Sequence, residues 1–354
     1  MNMKNIYKGC ISVLFLLLSA CSSEEKTNAI DYVFSKDNVL KLTDIKWERC
    51  KDVELQTSDS VVLAAYYRVQ TNGNEFYVFS QGPIYRFDDN GKFLNKFGGI
   101  GHAENEYLEL TDIYVNSAAK EIEAATPRML KVYDFEGKYK FSKKLAIDMV
   151  SFFHDTDGYW FSTGANKQYS DCEVFKADDN FNVQKEFVNR GFSMPNLAPN
   201  FGNCPVKTYK FPLSNDVYHI DAENDTVMLA YRLRFPGLDI PEVFNYGKMG
   251  EVNFLDYDYV ETWSFLESEQ YIYVLVAENV DSKCCVYHWF IDKHSNKELV
   301  VRIGDAEKNF DSYLLHPQFL DGNNILYFFG EDLECGKKES LHLIGIDLEK
   351  LLCQ

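Results

Sequence analysis

The chain has 354 residues and carries 36 Lys and Arg against 54 Asp and Glu, a formal charge of −18 at pH 7. An acidic surface of that size argues against nucleic-acid backbones and anionic headgroups as partners. With 23 Tyr, 27 Phe and 4 Trp, the chain has ample material for a large core.

The first twenty residues read as a targeting segment. Lys4 and Lys8 give a basic start, and the apolar run Ile11 to Leu18 is too short to span a bilayer. Leu18-Ser19-Ala20-Cys21 then matches a bacterial lipoprotein box, in which Cys21 is lipidated and becomes the new N-terminus. Residues 1–20 are therefore assigned to a lipoprotein signal peptide. Its removal takes away two lysines and no acid, so the charge moves from −18 to −20 on a mature chain of 334 residues. Acyl chains on Cys21 anchor the protein to the membrane, each buried CH₂ contributing about 0.8 kcal/mol. No other stretch approaches 18 apolar residues, so the lipid is the expected membrane contact. Residues 21–36 read as a flexible tether, and 37–354 as the folded unit.

Asn38–Ile45 alternates and reads as a strand with no hairpin partner nearby. From there the text is short strands and turns. Val61–Val69, Glu75–Ser80, Ile84–Asp88 and Phe93–Phe97 make a first group of four, with Asn90-Gly91 as its last hairpin turn. A second group lies within Thr111–Leu145, a third within Val150–Val188 and a fifth within Val260–Ile303. Three strands between Lys207 and Phe235 make a fourth group, and three between Leu314 and Asp347 a sixth. Strands this frequent, without a 3.6-residue period, predict an all-β fold.

The repeat shows best at the Asp closing the third strand of a group: Asp88, Asp134, Asp178, Asp292 and Asp347. The spacings are 46, 44, 114 and 55 residues, and the long one admits a further copy plus an insertion. Four strands per 40–50 residues is the mark of a propeller blade. The expected architecture is a six-bladed β-propeller of four-stranded antiparallel blades. The isolated N-terminal strand, placed at Asn38–Ile45, fills the open edge of the sixth blade and closes the ring. Arg190–Val206 and Pro236–Asp258 read as long insertions, where binding often resides.

Few motifs carry chemistry. Gly98-Gly99-Ile100-Gly101 lacks the following helix that a phosphate loop needs, so it reads as a turn between blades. The Cys residues follow neither disulfide nor zinc spacing, and adjacent Cys284 and Cys285 point to opposite faces of a strand. His102, His154 and His219 fall in successive blades, a geometry open to a metal in a central channel. No cofactor motif is present, and no catalytic residue can be chosen among 54 acids. Gly-x-Ser-x-Gly is absent, which argues against a serine hydrolase. Trp160 and Trp263 sit in predicted strands and fit either core or ligand stacking.

The unit from Tyr85 to Gly98, Tyr-Arg-Phe-Asp-Asp-Asn-Gly-Lys-Phe-Leu-Asn-Lys-Phe-Gly, followed by Gly101-His-Ala-Glu-Asn-Glu-Tyr107, resembles the NHL-type repeat. In particular it is similar to six-bladed propeller lipoproteins of Bacteroidota. Asn105 stands where that family usually has Gly. The resemblance implies the propeller fold and an envelope location, and brings no catalytic residues. Ser22-Ser23-Glu24-Glu25 after Cys21 resembles the surface-export signal of such lipoproteins. The expected protein is an outer-membrane lipoprotein, displayed outward, monomeric or within a hetero-complex. Its expected role is a non-enzymatic binding or scaffold module for a glycan, a peptide or an envelope protein. A glycan hydrolase or metal-dependent lyase with its site in the channel is the alternative.

Overall fold

A computed structural model describes residues 29–63, 67–163, 171–189, 200–211, 213–241, 243–244, 256–305, 314, 316–331 and 340–354. The signal peptide and Cys21 lie outside the described residues.

Three short N-terminal strands come first: β1 (Ile30–Val33), β2 (Leu40–Lys41) and β3 (Arg49–Glu54). Six blades follow. Blade 1 comprises β4 (Arg68–Thr71), β5 (Glu75–Phe79), β6 (Ile84–Asp88) and β7 (Phe93–Phe97). Blade 2 comprises β8 (Asp112–Asn116), β9 (Glu121–Thr126), β10 (Met129–Asp134) and β11 (Tyr139–Lys144). Blade 3 comprises β12 (Ser151–Asp155), β13 (Gly158–Ser162), β14 (Cys172–Ala177) and β15 (Val183–Asn189). Blade 4 comprises β16 (Asn200–Phe201), β17 (Thr208–Lys210), β18 (Asp216–Asp221) and β19 (Thr226–Arg234). Blade 5 comprises β20 (Tyr259–Glu267), β21 (Tyr271–Val280), β22 (Lys283–Asp292) and β23 (Glu298–Asp305). Blade 6 comprises β24 (Pro317–Leu320), β25 (Ile325–Glu331) and β26 (Leu341–Asp347), before a terminal helix α1 (Leu348–Leu352). The protein is a six-bladed β-propeller.

The ring is closed by an N-terminal strand, but not by the segment expected. β3 pairs antiparallel with β26 and supplies the outer strand of blade 6. Asn38–Ile45 instead holds the two-residue β2 and a 3-10 turn at Leu42–Asp44. The physical reason is plain. Arg-Cys-Lys-Asp-Val-Glu buries only Val53, so this edge strand is held by its ladder and shows no apolar alternation.

A second correction concerns the tether. β1 pairs parallel with β19 on the rim of blade 4, and Tyr32 and Phe34 are buried in the core, so the propeller begins before residue 37. β2 pairs parallel with β23 on the rim of blade 5. Residues 30–54 thus run around the outside of blades 4, 5 and 6 in turn, and Lys36 pairs with Glu278 on the way.

Six buried apolar clusters, counted among the described residues, occupy the six contacts between neighbouring blades. Strand alternation builds them. Phe161 faces blade 2 while its neighbour Trp160, fully buried, faces blade 4. Cys284 and Cys285 likewise pack toward opposite clusters. Each large side chain so buried contributes roughly 1.5–3 kcal/mol. Most of the aromatic residues serve this packing.

The repeated Asp has one job throughout. Asp88 accepts from the amides of Asn90 (3.0 Å) and Lys92 (2.9 Å), and Asp178 from those of Asn180 (2.8 Å) and Asn182 (2.9 Å). Asp292 caps its turn and Asp347 caps α1. Asp221 is the missing copy, 43 residues after Asp178, with its side chain on the Asn224 amide.

Turns also lock blades together. Gly91 has φ +80°, and a Cβ there would lie 2.1 Å from the Glu54 carbonyl oxygen of the closing strand. The Gln56 amide donates to the Gly91 carbonyl (2.8 Å). The equivalent turn of blade 2 sits on blade 1, where Gly137 meets the Phe97 ring. The glycine-rich exit after β7 is a crossing between blades: Tyr107 is buried and its hydroxyl donates to the Gly82 carbonyl (2.8 Å).

Candidate functional site

The innermost strands β4, β8, β12, β16, β20 and β24 surround a central cavity of about 560 Å³. All six blades contribute lining residues. One segment crosses the axis. Gly202–Val206 leaves β16 on blade 4, and Asn203 donates to the Val69 carbonyl of blade 1 (3.4 Å) and accepts from the Leu320 amide of blade 6 (3.2 Å). The Val206 amide donates to the Glu267 carbonyl of blade 5 (3.4 Å), and Cys204 is buried between blades 5 and 6. Sequence reasoning placed this segment in a surface insertion at Arg190–Val206. Its described part is instead the inner strand of blade 4 and a bar across the channel. A two-residue strand ended by Gly202 has too little alternation to be seen. Residues 190–199 lie outside the described residues, as does most of the second insertion.

The cavity holds an indole in an unusual setting. Trp263 is 42% exposed, on the innermost strand of blade 5. The β20–β21 ladder skips it: Thr262 pairs with Val276 and Ser264 with Leu275. This one-residue bulge re-aims the strand. Val260 and Phe265, on opposite faces by simple alternation, consequently pack in the same cluster against blade 4. The indole, freed from the ladder, lines the cavity, and its Nε1–H donates to Glu261 (3.0 Å). Trp160, the other tryptophan singled out, is core, with Nε1–H donating to Asp155 (2.7 Å).

Charged groups ring the same space. Arg68 pairs with Asp112 (3.2 Å), donates to the Thr111 carbonyl and covers the Phe79 ring (4.7 Å). Asp112 is buried and fully engaged. Its oxygens accept from the amides of Ile113 (2.9 Å) and Phe152 (3.2 Å) and from the Ser151 hydroxyl (2.9 Å). Burial pushes its carboxyl up, against the pull of Arg68 and these hydrogen bonds. Lys210 donates to the carbonyls of Thr262 (2.7 Å) and Phe211 (3.3 Å), next to the bulge. Lys207 lies over the Phe153 ring (5.4 Å), and the sole polar contact of its ammonium among the described residues is the Cys204 carbonyl (3.5 Å). Burial pushes its ammonium below the usual range.

The three histidines in successive blades do not converge. His102 is exposed in the crossing loop. His154 bonds Glu123 (2.7 Å) and Asp179 (3.3 Å) and stacks on Tyr159 (4.0 Å) between blades 2 and 3. His219 bonds the buried Glu267 (2.7 Å) between blades 4 and 5. Burial raises the Glu267 carboxyl, but hydrogen bonds from His219, Lys293 and Tyr231 outweigh it and hold the group below its ordinary value. His154 and His219 thus each serve a blade contact. Among the described residues no group of three or more His, Cys, Asp or Glu is placed to hold a metal ion.

A family model described as "Domain of unknown function (DUF4934)" matches residues 27–340. The chain belongs to the DUF4934 family. Among solved structures, this DUF4934 chain is similar to a Bacteroides fragilis protein described as exported, at 16% identity and TM-score 0.69, covering 90% of this chain and 99% of that one. A protein of unknown function from Bacteroides caccae aligns at 14% identity and TM-score 0.40, covering 78% and 90% of the two chains. The extracellular domain of a hybrid two-component system from Bacteroides thetaiotaomicron aligns at 12% identity and TM-score 0.43, covering 85% of this chain and 42% of that one. At these identities the likeness is one of fold. Comparison with curated proteins found no match.

Proposed function

We propose that this propeller is an envelope-anchored binding module that takes a glycan in its central cavity. The observation that carries the reading is Trp263. A strand that spends a bulge to extrude an indole into a cavity of mixed polar and apolar lining places an apolar platform where a sugar ring can lie, with Glu261 at its edge. The carboxylates facing the cavity do not favour hydrolysis of that glycan. Both oxygens of Asp112 are committed to fixed donors and Glu261 accepts from the Trp263 indole, so the described lining offers no free pair of carboxylates to flank a scissile bond. The lipoprotein box at Cys21 supports anchoring to the outer membrane, and no helix among the described residues is long and apolar enough to cross a membrane.

The test is a screen of the purified protein against immobilised oligosaccharides, repeated with Trp263→Ala. A sugar face covering about 60 Å² of indole at about 25 cal/mol per Å² gives about 1.5 kcal/mol, so binding should weaken at least tenfold. Retention of every bound glycan by the variant would remove the cavity from the reading. Cys21→Ala should release the protein from membranes in cell fractionation, and a protein that stays in the membrane fraction would sink the anchor assignment.

A further inference from the structure

We infer that the ligand of this cavity carries a carboxylate, and that Lys207 is the residue that pairs with it. The inference rests on the glycan reading above and specifies its class: an acidic saccharide of the uronate type.

The first observation is a local reversal of charge. The whole chain has 54 acids against 36 bases, yet the described lining of the cavity contributes Arg68, Lys207 and Lys210 against Asp112 and Glu261. Arg68 and Asp112 neutralise each other. Glu261 accepts from the neutral Trp263 indole and keeps its charge, so three cations stand against two carboxylates. What remains is positive.

The second observation is the state of Lys207. Lys207 is half-buried, and an ammonium partly withdrawn from water normally finds a carboxylate, because an unpaired charge there is costly. Lys207 finds a ring face and one carbonyl oxygen at the outer limit of hydrogen bonding. Two of its three donors have no partner among the described residues. The bar Gly202–Val206 delivers it there: the chain crosses the axis and returns to blade 4 at Lys207, which ends beside the cavity wall. Burial lowers its proton affinity in the free protein, and an incoming carboxylate would restore it.

A carboxylate and an indole platform in one cavity fit a sugar acid: the ring lies on Trp263 and its carboxylate meets Lys207. A neutral sugar leaves the ammonium unpaired.

The experiment is titration calorimetry of the full mature chain in detergent with trigalacturonate and with its methyl ester, which keeps the sugar and removes the charge. The acid should bind at least about tenfold tighter than the ester, the worth of a charge-assisted hydrogen bond. Lys207→Met should bring the two within about threefold, chiefly by weakening the acid, and Lys207→Arg should keep the preference. Unaltered thermal melting of the variants shows that they fold. Equal affinity for acid and ester overturns the carboxylate inference and leaves the glycan reading standing. A preference that survives Lys207→Met overturns the assignment to Lys207. Binding of an oligo-aspartate peptide more tightly than trigalacturonate, with the same Lys207 dependence, moves the ligand from sugar to acidic peptide. No binding of acid, ester or any screened glycan overturns both readings together.

Discussion

Gly91→Ala is expected to strike the ring closure, and a control at Gly73 isolates that effect. Both glycines have positive φ, +80° at Gly91 and +93° at Gly73, so alanine at either costs roughly 1–2 kcal/mol of backbone strain. At Gly73 nothing lies within 4 Å of the new Cβ, and the cost ends there. At Gly91 the Cβ would lie 2.1 Å from the Glu54 carbonyl oxygen and 3.0 Å from a Val53 methyl. Backbone atoms cannot yield as a flexible side chain does, so the closing strand must move away by more than an ångström. That displacement removes the bond from the Gln56 amide to the Gly91 carbonyl (2.8 Å) and weakens that from the Phe93 amide to Gln56 Oε1 (3.1 Å). At about 1 kcal/mol each, Gly91→Ala should cost about 3–4 kcal/mol, some 2 kcal/mol more than Gly73→Ala. Urea unfolding followed by tryptophan fluorescence reads both. Equal destabilisation by the two variants would refute the claim that the Asn90-Gly91 turn latches the first blade onto the closing strand.

Removing residues 29–55 should open the ring and yield an aggregating protein, because β26 loses its outer partner; removing only 29–45 should leave a monomer of lower melting temperature, and size-exclusion chromatography separates the outcomes. Two histidines should give opposite pH dependence. Burial lowers the proton affinity of His154, but Glu123 and Asp179 outweigh it and raise the group above 6.5. Its stabilisation is then fully present below pH 6.5 and is lost as pH rises through the raised value, so His154→Gln should cost more at pH 6 than at pH 9. His288 is fully buried beside Tyr273, and burial lowers it to about 3. The unfolded chain protonates this group below 6.5 while the folded one does not, so wild-type stability should fall from pH 6.5 toward 3. His288→Gln should flatten that slope in chemical unfolding across pH, and an unchanged slope would count against a neutral buried imidazole.

The blade count was legible because strand period and turn chemistry repeat together. Asp88, Asp134, Asp178, Asp292 and Asp347 are local signals, the first four capping their own turns and Asp347 capping α1, through bonds spanning a few residues. The ring closure was legible as a need and not as a place. A propeller must pair its ends, but Arg49–Glu54 is an edge strand with a single buried side chain, and what specifies it is a partner some 290 residues away. Alternation favoured the more apolar Asn38–Ile45, whose Ile45 is indeed buried, in the cluster between blades 5 and 6 rather than in a blade edge. The tether reading failed for a related reason: the buried Tyr32 and Phe34 are too few to make a pattern, and only the trough between blades 4 and 5 gives them a role.

The candidate site was hidden by the rule that revealed the fold. Strict alternation over Val260–Phe265 puts Trp263 on the face of Phe265 and Val260 on the other, which makes the tryptophan an ordinary core residue. The register of the ladder shows that Val260 and Phe265 share a face, five positions apart, which requires one residue to be skipped. The same device occurs once more among the inner strands. The β24–β25 ladder skips Gln318, whose Oε1 accepts the Val69 amide (2.8 Å) of blade 1. One bulge thus binds blade 6 to blade 1 through a side chain, and the other leaves an indole facing the cavity. A bulge whose extruded group satisfies a neighbouring backbone amide stabilises the ring. At Trp263 the extruded group satisfies, among the described residues, no backbone group, only the side chain of Glu261 two residues away. The bulge returns contacts to blade 4 through Phe265 and through the Thr262 carbonyl, which accepts from Lys210, but the indole takes no part in them, and it is at the indole that substitution should change binding without changing the fold.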